Sequence, residues 1–293
     1  MKTEVKDTIF SKERIINCRG RLLDLSTPAV MGILNITPDS FYDGGRYTND
    51  DKIKQRIIEM VEQGADILDV GAYSSRPGAA DIMENEEMRR LAPVLTLIRK
   101  LYPDIPVSVD TFRSGVARRV IKDFEADIIN DISGGELDSK MFETAALLKV
   151  PYILMHMKGT PQNMTTQNYY ENMLVEVMEY LAKKIEELNQ FGVNDIIIDP
   201  GFGFAKNIEQ NFQLLGRLRV FKIFEKPLLV GISRKSMIYK ILKTGPEEAL
   251  TGTAALNLMA LQKGANILRV HDVKEAKQMI RLCEHLEEPP WLG

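Results

Sequence analysis

The stretch Asp195-Ile-Ile-Ile-Asp199-Pro-Gly-Phe-Gly-Phe204 decides how the chain is read. Three branched apolar residues in a row are too few for a helix and too uniform for a strand with one wet face. They predict a short strand buried on both faces. The strand runs into a carboxylate, then Pro200, which cannot donate to a sheet ladder. Gly201 and Gly203 accept left-handed backbone angles and let the chain turn close to a ligand. Asp199 is thereby held at the rim of an apolar core, where a carboxylate needs partners. On its own it reads equally well as a turn cap; the recurrence of the pattern elsewhere gives it weight.

From Ala29 onward strand-like and helix-like segments alternate. The strand segments are 29–34, 65–70, 105–109, 127–129, 152–155, 195–198, 228–232 and 266–270. Helical patterns cover 50–63, 86–100, 114–123, 139–148, 169–191, 208–218, 247–263 and 274–286. In the fifth, Tyr170, Leu174, Val177, Met178, Leu181, Ile185 and Leu188 share one face. Gly64, Gly192 and Gly264 each stand between a helix and the next strand, the place of a helix C-terminal glycine. Eight β/α units of this length predict a (β/α)8 TIM barrel, with a doubly wound open sheet as the alternative. Residues 1–27 read as an N-terminal hairpin extension, 28–286 as the barrel and 287–293 as a loosely docked tail, all in one domain.

Composition bounds the rest. The chain has 293 residues, 44% hydrophobic and 27% charged, the balance of an ordinary globular protein. A net charge of −3 with no dense Lys/Arg block argues against nucleic acid or anionic membrane as the main partner. The first seven residues are charged and lack the apolar run of a secretory signal, and no 18-residue apolar run spans a membrane. Cys18 and Cys283 stand far apart with no motif around either, as reduced thiols in a cytoplasmic protein do.

A barrel predicts chemistry at the C-terminal ends of its strands. Those positions hold Asn35, Gly71–Gly78, Asp110-Thr111, Asn130-Asp131, His156, Asp199, Ser233-Arg-Lys-Ser236 and Arg269-Val-His-Asp272. Asp110, Asn130, Asp199 and Lys235 are the donors and acceptors that read the edge of a flat heterocycle. Each charge-assisted bond is worth roughly 1.5–3 kcal/mol once water is excluded. Arg76, Arg269 and His271, with Asn35 and Ser75, suit an anion such as phosphate, and Arg presents a planar fork to its oxygens. Ser236 opens a helix, whose N-terminus favours anions. Each residue also has a plainer reading: Lys235 as a solvated lysine, Arg269 as the partner of Asp272 or another acid, His156 as a hydrogen-bonded structural histidine, Asp131 and Asn35 as turn caps. Their convergence on one end of one barrel weakens those readings together. No His-x-His, Glu-x-x-His or Cys cluster makes a metal cage. A magnesium ion held mainly by substrate phosphates fits better, with Asn35 supplying one oxygen. Neither a Gly-x-Ser-x-Gly elbow, a P-loop nor a dinucleotide Gly-x-Gly-x-x-Gly is present.

The strand ends resemble those of the dihydropteroate synthase family of pterin-binding enzymes. The resemblance runs through Met31–Gly45, Ser75-Arg-Pro-Gly78, Ser108-Val-Asp-Thr111, Ile129-Asn-Asp131, Asp199–Phe204, Ser233-Arg-Lys-Ser236 and Arg269-Val-His-Asp272. It implies a barrel that joins 4-aminobenzoate to 6-hydroxymethyl-7,8-dihydropterin diphosphate and releases diphosphate. By motif position, Asp110, Asn130, Met155, Asp199 and Lys235 would hold the pterin. Asn35, Arg269 and His271 would hold the diphosphate and its magnesium. Phe41, Ser75, Arg76, Pro77, Phe204, Lys235 and Ser236 would form the aminobenzoate site, and Lys235, Arg269, His271 and Asp110 would carry the chemistry. Segments 37–47 and 73–80 would be lids. Two departures stand out: Tyr73, where the family often has an acid, and Ala205-Lys206, where it often has Gly-Lys. A methyltetrahydrofolate-binding methyltransferase domain and a non-catalytic pterin-binding paralogue are the competing readings, and Ser-Arg-Pro-Gly and Arg-Val-His-Asp speak against both.

The helix pattern 247–263 includes a stretch, Ala249–Gln262, without a single charge. An outer helix should show water one polar face. The sequence therefore predicts a homodimer through this helix, with burial under the N-terminal hairpin as the alternative.

Overall fold

A computed structural model describes residues 14–36, 46–74 and 81–286. Phe41, Ser75, Arg76, Pro77, the segment Thr8–Phe10 and the tail 287–293 lie outside them, as does most of each expected lid.

The first element among the described residues is an antiparallel hairpin, β1 (Ile15–Cys18) and β2 (Arg21–Asp24). Eight parallel strands follow: β3 (Ala29–Asn35), β4 (Ile67–Gly71), β5 (Val107–Asp110), β6 (Ile128–Asp131), β7 (Tyr152–Met155), β8 (Ile196–Asp199), β9 (Leu229–Val230) and β10 (Ile267–Val270). They form one sheet in the order β8-β7-β6-β5-β4-β3-β10-β9. A bridge from Ile198 to Leu228 joins its two ends, so the sheet closes into the predicted barrel. The open sheet is thereby excluded. The helices between the strands are α1 (Arg46–Glu62), α2 (Glu84–Leu101), α3 (Ser114–Phe124), α4 (Met141–Leu148), α5 (Met173–Phe191), α6 (Ile208–Gly216), α7 (Ser236–Leu242), α8 (Leu250–Gln262) and α9 (Val273–Cys283).

The strands carry two patterns at once. Outward residues such as Leu68, Val70, Val107, Val109, Ile196 and Ile198 pack under the helices. Inward residues Met31, Ile67, Ile128, Ile153, Ile197, Leu229 and Ile267 form an apolar floor. The hairpin contributes Ile16, Cys18 and Leu25 to that same floor, and Arg21 binds Asp127 beside it at 3.1 Å. Its apolar face closes the bottom of the barrel, which removes it as the cover for α8.

Several expected boundaries shift. The chemistry-bearing residues Asn35, Asp110, Asn130, Asp131 and Asp199 belong to the strands, not to the loops after them. The ladder carries on past them, with Thr111 N donating to Asn130 O at 3.0 Å and His156 N to Asp199 O at 3.0 Å. The fifth helix starts at Met173, because Asn172 caps it by accepting from Val175 N. Tyr170 precedes it and donates to Ala205 O at 2.9 Å. The α7 helix opens at Ser236 as expected, although its seven residues are too few for a helical period to mark its extent. The three inter-element glycines do take left-handed angles, with φ of +95°, +88° and +99° at Gly64, Gly192 and Gly264.

On α8 the side chains of Thr251, Ala255, Met259 and Gln262 are exposed. Ile241, Leu242 and Leu282 on the flanking helices α7 and α9 are 57%, 51% and 74% exposed, which leaves apolar surface beside an uncharged helix.

Candidate active site at the barrel mouth

Above the apolar floor the inward positions turn polar. Strand alternation puts Asp69, Asp110, Asn130, Met155, Asp199 and Arg269 inside the barrel, since their neighbours Val70, Val109, Ile129, Leu154, Ile198 and Leu268 face the helices. Register then sets them side by side: Gly71 opposite Asp110, Asp110 opposite Asn130, and Met155 opposite Asp199.

Asp69 is the hub of one half of the site. It is fully buried on β4 and accepts from Arg269 Nε at 2.7 Å, with Arg269 Nη2 at 2.6 Å. Asn130 Nδ2 reaches both its oxygens, at 3.3 and 3.2 Å. Arg269 Nη2 also donates to Asp110 Oδ2 at 3.0 Å. Arg269 therefore pairs with other acids, Asp69 and Asp110, in place of Asp272. Asp272 instead takes a two-pronged bond from Arg234 at 2.9 and 2.6 Å, tying the loops after β9 and β10 together. Burial above all raises the Asp110 carboxyl to about 7 against the pull of Arg269, and Asp69 beside it adds to the rise. Gly71 keeps the space next to this pair open, since a Cβ there would lie 3.4 Å from Asp110 Cβ and 3.5 Å from Asn35 Oδ1.

The other half is the turn after β8. Gly201 N donates to Asp199 Oδ1 at 2.8 Å, and Gly203 N to Asn211 Oδ1 at 2.7 Å. Gly201 and Gly203 take φ of +75° and +78°, and a Cβ on Gly201 would fall 2.0 Å from the carbonyl oxygen of His156. Only glycine fits there. Lys235 Nζ donates to Phe202 O and stands 4.8 Å above the Phe204 ring. Burial raises the Asp199 carboxyl, while Lys235 and the Gly201 amide resist the rise. Burial lowers Lys235 to about 8, with Asp199 opposing. Met155 lies in an apolar rim with Ile132, Met157, Met164, Ala205, Phe112 and Phe204.

His271 is held by Ser233, whose Oγ accepts from the His271 backbone N–H at 3.1 Å and lies 3.1 Å from Nδ1. The hydroxyl can then donate to Nδ1, which leaves the ring hydrogen on Nε2. Burial, and then Arg269, lowers His271 to about 4. At neutral pH it is a hydrogen-bond donor and not a cation. Ser236 opens α7 half-buried beside Lys235. His156 and Asp131 keep the plainer roles: Asp131 accepts from Ser133 N, Ser133 Oγ, Gly135 N and Tyr152 OH at 2.8, 2.7, 2.9 and 2.6 Å. Tyr73 lies edge-on to Phe112 at 5.1 Å and accepts from Gln162 Nε2 at 2.7 Å.

Sequence reasoning missed Asp69 and Lys206. Asp69 was legible in principle: a carboxylate inside Ile67-Leu-Asp-Val70 must face either the core or the barrel interior. Lys206 Nζ is buried against His156 Nδ1 at 3.0 Å, Gly201 O at 3.0 Å and Phe204 O at 3.1 Å. Among the described residues no group of three His, Cys, Asp or Glu could hold a metal ion.

Residues 31–271 match the family of pterin binding enzymes. The dihydropteroate synthase of Escherichia coli K12 is 44% identical over 91% of this chain and 94% of its own length. That of Haemophilus influenzae is 41% identical over 90% and 96%. A crystal structure of Yersinia pestis dihydropteroate synthase with a sulfonamide drug superposes with a TM-score of 0.86 at 41% identity, over 92% of this chain and 98% of that one. The Xanthomonas albilineans dihydropteroate synthase with 4-aminobenzoic acid gives 0.86 at 36% identity, over 93% and 97%.

Proposed function

The chain belongs to the pterin-binding enzyme family, alongside its dihydropteroate synthases, and from that premise we propose that it joins 4-aminobenzoate to 6-hydroxymethyl-7,8-dihydropterin diphosphate. The products are 7,8-dihydropteroate and diphosphate; the enzyme is a transferase of folate biosynthesis, and sulfonamides that mimic 4-aminobenzoate are its inhibitors. The observation that carries this reading is the convergence of Asp110, Asn130, Asp199 and Lys235 with Arg269 and His271 on one end of one barrel.

In this reading the Asp110 and Asp199 carboxylates accept from the N–H and amino edge of the pterin, Asn130 and Lys235 donate to its acceptors, and Met155 covers a face. Arg269, kept in place by Asp69, turns one edge of its guanidinium to the departing diphosphate. His271 adds a neutral Nε2–H there, and Asn35 lines the same side. Phe204 and Ser236 face the arylamine; Phe41, Ser75, Arg76 and Pro77, assigned to the same site by motif position, lie outside the described residues. The methylene carbon–oxygen bond breaks as the pterin shares the positive charge, the amine nitrogen then bonds to the carbon, and the amine proton leaves to solvent. An arylamine is neutral and nucleophilic at pH 7, so the site stabilises a leaving group and needs no strong base. One well-aimed donor contributes roughly 3–4 kcal/mol to such a step. The donor set suits magnesium held chiefly by phosphate oxygens with Asn35 as a protein ligand, because a protein-built cage is lacking among the described residues. When bound, it would neutralise charge on the diphosphate.

The assembly is a homodimer with α8 and its apolar neighbours at the interface. No helix among the described residues is long and apolar enough to cross a membrane. Both cysteines are free and buried, which suits the reducing cytoplasm. Chromatography of the reaction mixture tests the reading: dihydropteroate forms only when both substrates are supplied. Conversion of the pterin diphosphate to 6-hydroxymethyldihydropterin alone, with or without the arylamine, would refute it.

A further inference from the structure

Lys206 takes no part in the reaction just described, yet its ammonium lies within the turn that carries Asp199. The turn is tightly wound, with φ of +75°, +78° and +49° at Gly201, Gly203 and Ala205. Such a path points carbonyls inward, and a buried carbonyl without a donor costs about 1–3 kcal/mol. Lys206 meets that need by donating to Gly201 O at 3.0 Å and Phe204 O at 3.1 Å. Its third N–H faces His156 Nδ1 at 3.0 Å. An ammonium has three hydrogens, and all three are used. Burial, and then Lys206, lowers His156 to about 2, so its ring is neutral and accepts through Nδ1. Around this point stand Asp199 and Lys235 from the rim, and His156, Lys158, Tyr170 and Tyr180 from the elements after β7.

We propose that Lys206 is a positioning residue for pterin recognition, fixing the turn 199–204 from behind and giving Asp199 a cation that the substrate does not touch. The inference rests on the assignment of Asp199 to the pterin. Lys235 faces the mouth, where a ligand competes for its hydrogen bonds. The other cations acting on Asp199, Lys235 and Arg269, both face the mouth, so a carboxylate that relied on them alone would share its counter-charge with the ligand. Lys206 is only 8% exposed and its partners belong to the protein, so its charge stays when Lys235 turns to the ligand. Burial lowers the Lys206 ammonium to about 7, with Asp199 opposing. The charge is therefore present on the acid side of neutrality and is lost as pH rises, together with one donor of the clamp.

Calorimetric titration with 6-hydroxymethylpterin from pH 6 to 9 tests this on the wild type, Lys206→Met and Lys206→Arg. Wild-type binding checks the pterin assignment itself, and its absence would remove both that assignment and this proposal. The expected wild-type affinity peaks near pH 7: protonation of Asp110 weakens it below that pH, and loss of the Lys206 charge gives a first fall above it. Folded Lys206→Met binds at least tenfold more weakly at pH 6 and lacks that first fall. Lys206→Arg keeps its charge throughout and lacks it too. A folded Lys206→Met that binds within twofold of wild type at pH 6, with the wild-type profile, overturns the proposal. If Lys206→Met does not melt cooperatively, Lys206→Arg decides: a wild-type fall above pH 7 would overturn it.

Discussion

Asp110 and Arg269 face each other at 3.0 Å with Asp69 beneath them, so the residues expected to read the heterocycle and those expected to bind the anion form one network. In the proposed site a pterin edge at Asp110 and a diphosphate at Arg269 would draw on the two sides of a single ion pair. Asp110→Asn removes a charge-assisted acceptor and is expected to weaken pterin binding by about ten- to a hundredfold, from the roughly 1.5–3 kcal/mol of such a bond. The same carboxyl gives an acid limb: raised to about 7, it is protonated below that pH and loses the charge that strengthens its bonds to the pterin N–H and amino groups. Pterin affinity should thus fall as pH drops below 7 in the wild type but not in Asp110→Asn. Equal slopes in calorimetric titrations of the two would contradict the assignment. At this scale the sequence showed the charged ends of the strands but not their mutual partners. Asp69 hid inside the strand segment 65–70, and the pairing of Arg269 depends on which strands adjoin, which no local pattern states.

The turn after β8 is the element on which most depends. Its departure from the family, Ala205, carries a side chain at φ +49°, in the left-handed region. That conformation costs an L-residue roughly 1–2 kcal/mol, partly offset because glycine loses more chain freedom on folding. Ala205→Gly should therefore stabilise the protein by roughly 0.5–1 kcal/mol, seen as a melting temperature higher by a few degrees. A lower one would mean that the Ala205 methyl contributes more by packing with Met155 and Met164 than the backbone loses. The elements themselves were largely legible. Buried strands announced themselves as branched apolar runs, and helix ends as glycines. The strands' last residues were not legible, because Asp and Asn look like loop residues until a barrel interior gives them partners. The start of the short helix α7 at Ser236 was read, but not its length, because seven residues carry too little periodicity.

Across the whole molecule, the hairpin and α8 mark opposite solutions to exposed apolar surface. The hairpin covers the barrel floor with Ile16, Cys18 and Leu25. The α8 helix keeps Met259 exposed at 41%, beside Leu242 at 51%. If a second copy covers this face, light scattering at micromolar concentration gives a dimer, and Met259→Glu with Leu242→Glu shifts it to monomer with the fold intact. A wild-type monomer would refute that interface. The uncharged stretch that prompted this expectation is a property of the sequence; the failure of the hairpin to cover it became visible only in three dimensions.

In the proposed reaction this barrel mouth binds a pterin through Asp199 and expels diphosphate in favour of an arylamine. The most direct measurement is diphosphate release from 6-hydroxymethyl-7,8-dihydropterin diphosphate and magnesium, with and without 4-aminobenzoate, in the wild type and in Asp199→Ala. Release that depends on 4-aminobenzoate and falls at least a hundredfold in Asp199→Ala is the expected result. Release indifferent to the arylamine, or equal in the two proteins, would contradict it.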